Sequence, residues 1–96
     1  MKKEFTKTTF EDVQTAIIEQ GQEAIEVKGD KLIVSIAVDI DGREDVYEVV
    51  IKNDPIYENR DGTVNALVYG TTDFRNAVAE LVGHINEALA TYYKLQ

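Results

Sequence analysis

The sequence contains no cysteine, and that single absence removes disulfide scaffolds, thiolate zinc sites, iron–sulfur clusters and thiol nucleophiles together. Serine occurs once, as Ser35 inside a candidate strand, and histidine once, as His84, so no serine–histidine–acid triad can be assembled. Neither GxGxxG nor GxxxxGK[ST] is present, which leaves no phosphate-cradling loop. Cations are scarce as well. Ten Lys and Arg stand against eighteen Asp and Glu, a formal charge of −8 that repels a phosphate backbone and argues against direct nucleic-acid binding. The longest near-apolar run, Leu32 to Ile40, is broken by Ser35 and Asp39 and falls far short of the ~20 residues of a membrane helix. No membrane association is therefore expected. Behind the basic start Met1-Lys2-Lys3 there is no apolar stretch of the kind a secretory signal needs, and the expected location is the cytoplasm.

What is present suits one small core. The chain has 96 residues, 44% hydrophobic and 29% charged, which predicts a single domain over 1–96 with residues 1–7 as a flexible arm. Thr8 and Glu11 have the spacing of a capping box, and Phe10, Val13, Ala16 and Ile17 then mark one side of a helix ending between Gln20 and Ala24. From Ile25 the period changes to two. Ile25–Lys28 and Lys31–Ile40 read as strands joined by Gly29-Asp30, and Asp41-Gly42 starts a second hairpin.

A two-residue loop at Asp41-Gly42 pairs Ile40 with Arg43, and hence Val38 with Asp45, Ile36 with Tyr47, Val34 with Val49 and Leu32 with Ile51. A slip of one residue would mix apolar with polar faces. Asn53-Asp54-Pro55 ends the strand and opens a loop to Gly62, after which Thr63–Tyr69 reads as a further strand. The last segment is helical, capped by Thr71 or Thr72, with Phe74, Val78, Leu81, Ile85, Leu89 and Tyr92 forming one stripe. The predicted fold class is α+β: an N-terminal helix, an antiparallel meander of three to four strands, and a long C-terminal helix packed on one face of the sheet.

In element order this resembles the double-stranded RNA-binding domain, whose second helix opens on a basic cluster that grips phosphates. Here the corresponding start reads Thr71-Thr72-Asp73-Phe74-Arg75, with one cation and an acid beside it. The likeness extends to element order and implies no RNA binding.

Chemistry-bearing patterns are few. Asp39, Asp41, Gly42, Asp45 and Glu48 match positions 3, 5, 6, 9 and 12 of a calcium-binding EF-hand loop, but Ala37 stands at the first ligand position and strands flank the loop. The plain reading is a solvated acidic hairpin tip made of Asp39, Asp41, Glu44 and Asp45. His84 has Glu80 and Glu87 on neighbouring turns, off the apolar stripe, where a solvated histidine is the usual occupant. No catalytic residue, metal site or cofactor is assigned, and the chain is not expected to be an enzyme.

Two surface features point to partners. Ile33, Ala37, Val46 and Val50 share the outer face of the predicted sheet, and Ile56 and Tyr57 on the following loop extend that surface or fold over it. Ala79, Gly83 and Ala90 form a small-residue stripe on the back of the last helix. The expected function is a non-enzymatic protein-binding module, with self-association as one mode and an unknown protein as the other partner. The alternative is an acidic nucleic-acid mimic that occupies a nucleic-acid-binding protein through Asp39, Asp41, Glu44 and Asp45.

Overall fold

The computed structural model describes residues 7–94. Most of the expected N-terminal arm, residues 1–6, lies outside them. Two α-helices and three strands follow in order, with short 3-10 turns between them: α1 (Phe10–Gln20), β1 (Ile25–Lys28), β2 (Lys31–Ile40), β3 (Arg43–Lys52) and α2 (Thr72–Lys94). Thr9, rather than Thr8, caps α1, its hydroxyl accepting from the Asp12 amide at 3.2 Å. Thr8 is engaged elsewhere. Its amide donates to Asn86 Oδ1 at 2.8 Å and its carbonyl accepts from Asn86 Nδ2 at 3.0 Å, a two-point clip between the chain before α1 and the far half of α2. The helix stops at Gly21, whose φ of 60° suits a residue without a side chain.

The three strands form one antiparallel sheet in the order β1-β2-β3. The β2–β3 pairing runs from Ile40↔Arg43 through Val34↔Val49 to Lys31↔Lys52, the register the alternation predicts. Asp41 and Gly42 both have positive φ, 54° and 84°, the geometry of a type I′ turn, whose twist matches that of the strands it joins. β1 reaches only as far as Val34, so the outer half of the hairpin is a two-stranded ribbon.

Both helices bury against the same face. Val13 and Ile17 of α1, Leu32, Val34 and Ile36 of β2, and Phe74, Val78, Leu81 and Ile85 of α2 join one core, with α2 lying chiefly against β3. Thr71 caps α2 through its hydroxyl, which accepts from the Phe74 amide at 3.1 Å. At ~1.5 Å per residue its 23 residues span ~34 Å, matching a ten-residue strand at ~3.4 Å per residue. One helix therefore backs the whole hairpin. Among the described residues, no helix is long and apolar enough to cross a membrane.

The predicted strand at Thr63–Tyr69 does not form. Val64 makes an isolated bridge to Glu58, and Ala66–Gly70 is a 3-10 turn capped by Asn65 Oδ1, which accepts from the Leu67 amide at 2.9 Å. Burial follows a spacing of four, with Val64 and Val68 inside and Ala66 and Leu67 exposed, where a strand would have buried Ala66 as well. The Gln22 side chain takes the part of a neighbouring strand, accepting from the Val64 amide at 3.1 Å.

Candidate binding surfaces

The hairpin tip is acidic in sequence but not as one surface. By the register, Asp39 and Glu44 fall on the outer face of the sheet and Asp45 on the inner face. Asp39 Oδ1 accepts from the Gly42 amide at 2.7 Å and so serves the turn. Asp45 lies 3.7 Å from Arg43 Nε, and Asp41 accepts a hydrogen bond from the Tyr92 hydroxyl near the end of α2. Three of the four carboxylates thus have partners within the chain. Among the described residues, no three His, Cys, Asp or Glu side chains converge closely enough to hold a metal ion.

The Tyr92–Asp41 bond ties the tip to α2 and raises the phenol's pKa above the ordinary value of about 10, because the hydroxyl proton is shared with a carboxylate and ionisation would set two negative charges side by side. The raised folded value means that this contribution to stability is complete below about pH 10 and is lost as pH rises through the folded pKa. An ultraviolet phenolate titration should therefore show one late-ionising tyrosine that disappears in Tyr92→Phe. Identical late phases in the two proteins would count against the tether.

Below the tip, the ribbon and the last turns of α2 enclose a groove of ≈590 Å³ that includes Arg43, Asp45, Tyr47, His84, Glu87 and Tyr92. His84 Nε2 is 3.8 Å from Glu80 Oε1, and both side chains are exposed. The pair projects into solvent, as expected of a polar helix face, and no serine or cysteine stands beside it.

Among the described residues, no helix lies on the outer face of the sheet. Val46 is 61% exposed and Val50 55%, Ala37 is exposed, and Ile33 is half-buried between its strand neighbours. The loop after β3 does not cover this face. The Asn53 amide donates to the Asp30 carbonyl at 2.9 Å, and its side-chain nitrogen donates to the Gly29 carbonyl at 2.9 Å, which carries the chain away from β3 toward the β1–β2 turn. Beyond it, the Asp61 carboxylate accepts from the Thr63 hydroxyl and amide, and these bonds hold its pKa below the usual value.

This routing divides the six candidate surface residues. Ile33, Ala37, Val46 and Val50 share the open face, whereas Tyr57 packs against the core and Ile56 stands 62% exposed on the 3-10 turn Pro55–Tyr57. On the back of α2, Ala79 and Gly83 are exposed, and a side chain at Gly83 would meet nothing within 4 Å.

The free edge of β3 is a candidate surface that the alternation of faces does not mark. A two-residue turn makes Ile40 and Arg43 a hydrogen-bonded pair, so the backbone groups of Glu44, Val46, Glu48, Val50 and Lys52 face away from β2. The Ser35 amide, which turns from β3 to donate to the Ala24 carbonyl at 2.8 Å, follows the same alternation. The signal was available in the register itself. No family model, curated protein or solved structure matches the chain.

Proposed function

We propose that this chain is a non-enzymatic protein-binding module that takes its partner on the open side of the sheet. The observation that carries the reading is the one-sided placement of the helices. Both cover the Leu32–Val34–Ile36 face, and Val46 and Val50 remain more than half exposed on the other. Covering what is exposed of each valine is worth ~1 kcal/mol, enough for the two with Ile33 to anchor a contact framed by Glu44 and Glu48.

The test is capture from the native host's lysate, comparing the wild-type chain with Val46→Asp. The substitution lies on an exposed position and should leave the circular dichroism spectrum unchanged. A specific bound protein that is lost with Val46→Asp supports the reading. Equal capture by both chains, or none by either, overturns it.

A further inference from the structure

We propose that a second copy of this chain is one partner of the module, joined edge to edge through β3, along the border of the open side, in antiparallel register with Val50 opposite Val50. The inference rests on the binding-module reading and adds the identity and geometry of the partner. β3 is a ten-residue edge strand without proline or bulge, and its outward backbone groups are unpaired within the sheet. The chain leaves it at Asn53 toward the opposite side, so the loop that follows does not obstruct it.

The side chains select one register. With Val50 on the two-fold axis, Glu48 faces Lys52 of the second copy, and by symmetry Lys52 faces that copy's Glu48. On the inner face the same register sets Val49 opposite Ile51 and Ile51 opposite Val49. A groove of ≈240 Å³ bounded by Val49–Lys52 and by Asn76, Ala77 and Glu80 of α2 lies there to receive them. Neighbouring registers lose these matches. Centring on Val49 sets Glu48 against Val50 and Val46 against Lys52; centring on Glu48 sets it against itself; centring on Ile51 sets Glu48 against Asp54. Centring on Glu48 does set Glu44 opposite Lys52 and Val46 opposite Val50, but it holds two carboxylates face to face on the axis. Only about Val50 do opposite charges meet, with apolar pairs between them, and no like charges oppose.

The pairing is short, limited to residues 48–52 of each copy, so its affinity should lie on the order of micromolar. Sedimentation velocity from micromolar to millimolar concentration should show a monomer–dimer equilibrium. Lys52→Glu places two carboxylate pairs across the axis and should weaken the dimer at least ~10-fold, while Glu48→Lys combined with Lys52→Glu exchanges the charges and should restore it.

A chain without cysteine offers a second readout. The opposed Cα atoms of a hydrogen-bonded pair stand ~5.5 Å apart, within disulfide range, so Val50→Cys should oxidise to a covalent dimer faster than Val46→Cys, whose counterpart would be Asp54. A wild-type monomer at all concentrations, a dimer indifferent to Lys52→Glu, or equal oxidation of the two cysteine variants overturns the proposal. Glu48 and Lys52 are exposed and outside the core, and a wild-type chain that stays monomeric yet captures a partner lost with Val46→Asp would overturn this inference while leaving the reading beneath it standing.

Discussion

Val34→Asp should leave the chain largely unfolded, while Ala37→Asp, three residues along the same strand, should fold normally. Val34 has no exposed surface, sits between Ile25 on β1 and Val49 on β3, and faces the helices. A carboxylate there has no cation within the core to pair with, and the combined loss of valine packing and carboxylate hydration costs about 4 kcal/mol or more. A domain of this size holds about 5–15 kcal/mol in total, so the folded population falls sharply. Ala37 lies on the outer face opposite Val46, exposed, where a carboxylate stays hydrated and the change should remain within about 1 kcal/mol. Urea unfolding followed by circular dichroism measures both. Similar midpoints for the two variants would mean that the sheet does not present its faces in this way.

Phe74→Ala should cost ~3–5 kcal/mol, the range for removing a fully buried aromatic ring. Phe74 is the first buried residue of α2, with no exposed surface, and its ring meets Tyr69 edge to face at 5.2 Å and 71°. It therefore fastens the connection after β3 as well as the start of the helix. Leu89→Ala, on the same stripe but only half-buried at the margin of the core, should cost ~1–2 kcal/mol. Equal losses at the two positions would contradict a core that Phe74 fills and Leu89 only borders.

The two strongest patterns were legible because local chemistry and packing agreed. Asp41-Gly42 demanded a tight turn, and that turn fixed all ten pairs from Ile40↔Arg43 to Lys31↔Lys52. The stripe from Phe74 through Ile85 likewise had one way to be buried. Thr63–Tyr69 failed for the opposite reason: its valines, leucine and tyrosine favour strands, but Asn65 caps a 3-10 turn and Gln22, distant in sequence, supplies the hydrogen bond a neighbouring strand would have given. Thr8 has the spacing of a cap, but its partner, Asn86, is 78 residues away. As for the surface, alternation placed Ile33, Ala37, Val46 and Val50 together. It could not follow the loop that takes Tyr57 to the core, nor show that the carboxylates of Asp39, Asp41 and Asp45 are turned to partners of their own.

The Thr8–Asn86 clip joins the beginning of the fold to its last element, and the core does the same, since Val13 and Ile17 close against Phe74, Val78, Leu81 and Ile85. A nascent chain still waiting for α2 has apolar surface on both α1 and the hairpin and nothing to lay across them. On the ribosome this fold should stay protease-sensitive until α2 has emerged, and only then acquire its native shape in a single cooperative event.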